Sequence, residues 1–162
     1  MNLKTKNAGY WYLAGLSLIA IVIFMISCSI KSYGFFIDEV YFMACAKRLA
    51  FGYIDQPPLS IALLSVVQYH FGHNIYAIRF LPAASIAATV FMTGLIARRL
   101  GGNTRSMLLA GLAVMIMPVF ILFGSFYSMN AYEPLIWSSI VLIAAGRSGM
   151  TATASVLRLK KR

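Results

Sequence analysis

The chain has four acidic side chains, and three of them, Asp38, Glu39 and Asp55, fall within one stretch from Phe35 to Leu59, FFIDEVYFMACAKRLAFGYIDQPPL. The fourth, Glu133, stands in MNAYEPL. The stretch lies between two segments apolar enough for a bilayer, where a charge must be offset by solvent, a partner or a task. A carboxylate so placed can act as a general base, taking the proton of an attacking hydroxyl. Neighbouring side chains on a helix point about 100° apart, so Asp38 and Glu39 cannot converge on one atom, and one of them should carry the chemistry. The competing account is structural. Asp38 becomes the N-cap of a short helix, contributing about 1 kcal/mol, and Glu39 a favourable charge in its first turn. Asp55 and Glu133 become turn residues ahead of Pro57, Pro58 and Pro134.

The elements that must hold these residues are those of an all-α membrane protein. The chain is 60% hydrophobic and only 11% charged, with a mean hydropathy of +0.80, far from the usage of soluble domains. Lys4 and Lys6 precede an aromatic group, Tyr10, Trp11 and Tyr12, and an apolar run reaching about Ile30. That run is long for a signal peptide, lacks a clean cleavage site and reads as a first spanning helix over about 10–30. Residues 31–74 form an exterior loop with two short interfacial helices. In the first, from Asp38 to Phe51, Phe42, Ala46, Leu49 and Ala50 repeat at helical spacing while Glu39, Lys47 and Arg48 face elsewhere, and Gly52 stops it. The second runs from Leu59 to Phe71 after the two prolines. Further spans are expected over about 75–97, 105–123 and 132–146, the last start being near Tyr132. Residues 1–146 then make up the membrane region and 147–162 a basic tail.

Charge fixes the topology. Lys4, Lys6, Arg98, Arg99, Arg105, Arg147, Arg158, Lys160, Lys161 and Arg162 lie at ends and turns on one side, ten of the 14 basic residues. Lys31, Lys47, Arg48 and Arg79 lie on the other with all four acids, so that face is neutral and the whole +10 sits opposite. By the positive-inside rule this predicts four helices with both termini cytoplasmic and every carboxylate exterior, in a multi-pass protein of a cell membrane. The basic clusters follow span ends and form no stripe on a polar domain, which argues against nucleic acid. Cys28 and Cys45 have no metal-ligand spacing. His70 and His73 lack a third ligand, so no metal is expected, and nothing calls for a cofactor.

The order F-x-D-E-x-x-Y/F with a short helix, G-Y-x-D-Q-P-P-L, a turn A-x-R-F/L-P into a helix and an exit A-R-R-L-G-G resembles the start of GT-C membrane glycosyltransferases. The branch is that of protein mannosyltransferases and lipid A aminoarabinose transferases, and the likeness runs from about Trp11 to Trp137. It implies transfer of a sugar from a polyprenyl-phosphate carrier, with inversion, to an exterior lipid, glycan or protein acceptor. Asp38 would be the base or acceptor-orienting carboxylate and Glu39 would support the loop. Arg79, with Lys47 or Arg48, would meet phosphate, and Asp55, Gln56 and Glu133 would contribute to substrate binding. The aminoarabinose branch commonly has Lys where Gln56 stands, and many relatives have Asp where Glu133 stands. Relatives are several hundred residues long, so the chain is expected to be an N-terminal part, working with a C-terminal remainder or other membrane helices and possessing half of a site. The alternative is a non-catalytic small membrane subunit or scaffold whose acids are caps.

Overall fold

The computed structural model describes residues 3–30 and 34–159, with side chains described over 8–29 and 34–146. Its described residues form helices and no strand: α1 (Leu3–Ile30), α2 (Ile37–Ala46), α3 (Pro58–Phe71), α4 (Ile75–Arg99), α5 (Thr104–Ile116), α6 (Pro118–Ser125), a single 3₁₀ turn (Met129–Ala131) and α7 (Glu133–Leu159). Among the described residues, α1 and α4 are each long and apolar enough to cross a membrane, and α5 with α6 makes a third crossing if the bent pair is one span.

Short polar side chains and special backbones set the ends. Asn74 accepts from the Tyr76 N–H at 2.9 Å to start α4, and Asn103 accepts from the Ser106 N–H at 3.0 Å to start α5, each satisfying a donor that helix geometry leaves unpaired. Pro58 opens α3 at the position where a missing N–H costs nothing. In the RRLGG turn, Gly101 takes φ +93°, and the Gly102 N–H donates to the Ala97 carbonyl at 2.9 Å. A Cβ on Gly102 would stand 2.6 Å from that same oxygen, so both glycines are needed to bring α5 back along α4.

α4 is the central helix, packed by α1, α5, α6 and α7. The close approaches give the order along the bundle. A Cβ on Gly94 of α4 would collide with Leu13 of α1, one on Gly111 of α5 would press on Leu16 and Leu13, and one on Gly124 of α6 would meet the Phe24 ring. Thus α1 and the α5–α6 pair run the same way and α4 runs against them. Gly9, Thr104, Arg99 and Gly146 share one end. The opposite end holds α2, α3 and the 3₁₀ turn over a buried cluster of Phe42, Met43, Ala46, Ile61, Leu64, Ile78 and Tyr127.

Some boundaries differ from the sequence reading. The run over 105–123 is not one helix: it bends by 65° at Met117 and Pro118, because Pro118 has no N–H for the Val114 carbonyl and its ring excludes the preceding turn. Instead the Met117 N–H closes on Val114 at 3.3 Å. Likewise α2 ends at Ala46 and not at Phe51. The Tyr53 hydroxyl donates to the Arg48 carbonyl at 2.8 Å and accepts from the Ala50 N–H at 2.9 Å, engaging the backbone groups that a longer helix would use. α7 begins at Glu133, next to the expected start near Tyr132, and its backbone continues through the residues read as a tail to Leu159.

Candidate functional site

Glu39 is fully buried and is the third residue of α2, where its side chain turns back toward the helix start. Its Oε2 accepts from the Phe36 N–H at 2.9 Å and from Arg79 Nη2 at 2.7 Å. Its Oε1 accepts from Arg79 Nε at 2.9 Å and from the Tyr127 N–H at 2.8 Å. Four charge-assisted bonds occupy both oxygens, which is what allows an ionised carboxylate to sit out of reach of water. Arg79, equally buried, also donates from Nη2 to the Gly34 carbonyl at 3.1 Å, and Cys28 of α1 adjoins its guanidinium. The clamp therefore ties the start of the loop, α2, α4 and the segment after α6 to one point.

The expectation that Glu39 faces away from the apolar side of α2 is corrected here. Glu39, Phe42, Met43 and Ala46 are the buried residues of the helix, at i, i+3, i+4 and i+7 of a single face. Asp38 is also not the N-cap. That position is Phe36, and the bond from the Phe36 N–H to Glu39 does half of what a capping side chain would do. Asp38 is exposed and makes no hydrogen bond or ion pair among the described residues.

Two tyrosines complete the buried layer. Tyr127 is fully buried and its hydroxyl donates to the Ser60 carbonyl of α3 at 2.5 Å, while Ser85 of α4 donates to the Ala131 carbonyl at 2.8 Å. The Tyr132 ring lies against that of Tyr127, with centroids 6.1 Å apart, and its buried hydroxyl makes no well-formed hydrogen bond among the described residues. Burial pushes the Tyr127 phenol well above its usual range and the Tyr132 phenol up to about 12.

The other sequence-predicted residues are more loosely placed. The exposed Tyr41 phenol is raised, chiefly by the neighbouring Cys45, and Asp55 is exposed in the loop between α2 and α3. Gln56 is half-buried and its Oε1 is unsatisfied. Glu133 is exposed in the first turn of α7. Among the described residues no hydrogen bond or ion pair joins Asp38 to Asp55, Gln56 or Glu133. Arg79 meets Glu39 first, and Lys47 and Arg48 are exposed at the end of α2 with no side-chain partner among the described residues. His73 approaches Gln68 at 3.3 Å, and the described residues contain no group of three metal-ligating side chains.

Beside the clamp is an apolar cavity of about 520 Å³, lined by Phe36, Arg79, Pro118, Ile121, Leu122, Ser125 and Phe126. The bend at Pro118 forms one wall, and Phe36 stacks on Phe126 with centroids 5.3 Å apart. Sequence spacing alone does not point to Tyr127 and Phe126. The one signal available was a pair of aromatics inside the polar break GSFYSMN, where a solvated loop has no use for large rings. Comparison of the chain with protein families, curated proteins and solved structures finds no match.

Proposed function

We propose that this chain forms the carrier-binding and acceptor-activating part of a membrane glycosyltransferase that uses a polyprenyl-phosphate-linked sugar. The observation that carries the reading is the division of labour within α2: Glu39 has no lone pair to spare, while its neighbour Asp38 is exposed and has no partner among the described residues. A rigidly held helix that offers one free carboxylate suits a general base. The 520 Å³ cavity beside it suits part of a prenyl chain. In this reading α1, α4, the bent α5–α6 pair and α7 cross a bacterial cell membrane with both termini cytoplasmic, and α2 and α3 lie in the exterior interface. Because the Arg79 charge is already balanced by Glu39, Lys47 and Arg48 are better placed to meet phosphate. Asp55, Gln56 and Glu133 serve the sugar or the acceptor.

The test is transfer of a labelled sugar from its polyprenyl phosphate in membranes containing the chain, with any further helices it requires supplied together. Asp38→Asn and Asp38→Ala should both lower transfer by about 10²–10⁴-fold, the usual worth of a positioned base. Wild-type transfer by Asp38→Asn removes Asp38 from that role. The second reading, a non-catalytic membrane subunit or scaffold, is favoured by the same clamp, since Glu39 and Arg79 are spent on structure. It predicts no donor binding and no effect of either Asp38 variant.

A further inference from the structure

At the end of the bundle away from the carboxylates, α1 and α5 leave between them a groove of about 430 Å³, walled by Trp11, Gly15 and Ile19 on one side and Leu108 and Leu112 on the other. Gly15 opens it, since a Cβ there would meet nothing within 4 Å, whereas at Gly9 and Gly111 the two helices close on each other. Arg105 lies three residues before Leu108 and seven before Leu112, on the same stripe of α5. It is exposed and unpaired among the described residues. A cation in the first turn opposes the helix dipole, and no acidic side chain in that turn offsets it. Trp11 and Tyr12 stand at the same level, 77% and 62% exposed, as aromatic side chains do at the headgroup boundary.

We infer that this groove binds one acyl chain of an anionic phospholipid, with the headgroup phosphate at Arg105. The charge there is complementary, because Arg98, Arg99 and Arg105 gather at that end and Lys4 and Lys6 precede Trp11 in the chain, and basic pockets between membrane helices recruit acidic headgroups. A second helix is a poorer occupant. Close helix packing in a bilayer uses small residues spaced by four, and apart from Gly15 the walls are large. A flexible chain fills such a recess without needing backbone contact. The inference rests on this end of α1, α4 and α5 and is independent of any sugar transfer.

Native mass spectrometry of the full chain with equal amounts of phosphatidylglycerol and phosphatidylcholine tests it. Wild type should retain phosphatidylglycerol preferentially. Arg105→Gln should keep lipid adducts but lose about fivefold in the ratio of anionic to zwitterionic lipid, the change expected for one basic residue at an acidic surface. Gly15→Trp, and from the opposite wall Leu112→Trp, should lose the tightly held adduct while helix content by circular dichroism is unchanged. Either variant folding and still retaining lipid as wild type does, or an unchanged lipid ratio in Arg105→Gln, overturns the proposal. So does a Gly15→Cys chain that crosslinks to a second copy in place of lipid.

Discussion

Glu39 and Asp38 are adjacent carboxylates with opposite circumstances, and substitutions should separate them. Removing the Glu39 charge in Glu39→Gln leaves Arg79 buried and unbalanced, so stability should fall by about 3–5 kcal/mol. Asp38→Asn, at an exposed position without partners among the described residues, should change stability by no more than about 0.5 kcal/mol. Thermal unfolding of both variants in one detergent reads the difference, and equal losses would contradict the assignment. The tyrosines give a pH dependence. Both phenols are raised above the ordinary value of 10.0 by burial, so they stay neutral in the fold while an unfolded chain ionises. Their contribution is complete below pH 10.0 and is lost as pH rises, through about 12 for Tyr132. Tyr132→Phe deletes a hydroxyl that makes no well-formed hydrogen bond among the described residues and should be neutral or stabilising, up to about 1 kcal/mol, with a shallower loss of stability above about pH 10. The sequence shows the acidic pair but not its division. Glu39 is four residues before Met43 and seven before Ala46 on the apolar stripe, yet a charge is naturally assigned to the wet side. Its burial depends on an arginine 40 residues away and on a backbone N–H 88 residues away, neither of which local spacing reveals.

Helix positions are readable where the chemistry is local. Asn74 and Asn103 as caps, the paired prolines before α3, and the glycine turn after α4 all act within a few residues, and the expected starts of α3, α4 and α7 agree with the structure to within a residue or two. The bend in α5–α6 was equally local, since Pro118 stands in the middle of the run, but apolarity over 105–123 outweighs one proline when only hydropathy is considered. The end of α2 was not readable, because it depends on the Tyr53 hydroxyl folding back on Arg48 and Ala50. Packing between elements is set by small residues. A Cβ on Gly124 would stand 2.6 Å from the Phe24 ring, which is rigid and 4% exposed. Gly124→Ala should therefore cost about 1–3 kcal/mol, and Phe24→Leu in the same chain should recover part of it. Chemical unfolding of the two variants checks this, and additive losses would show that the two residues do not share the contact.

Across the molecule, the structure separates charge by end. Arg98, Arg99 and Arg105 lie with the start of α1, and Asp38, Glu39, Asp55 and Glu133 lie with α2, α3 and the start of α7. That separation follows from the sequence because each charge cluster sits at a break between apolar runs, and antiparallel passage of α1 and α4 delivers them to opposite ends. Leu49, Phe51 and Ile54 are 64%, 104% and 98% exposed around the loop after α2. Which end faces outward decides whether Asp38 can meet an exterior acceptor, and cysteine labelling settles it. In a chain with Cys28→Ala and Cys45→Ala, Asp38→Cys should react with a membrane-impermeant maleimide on intact cells, and Arg105→Cys only after the membrane is opened. Reaction of Asp38→Cys only after opening would place the free carboxylate in the cytoplasm and contradict the account.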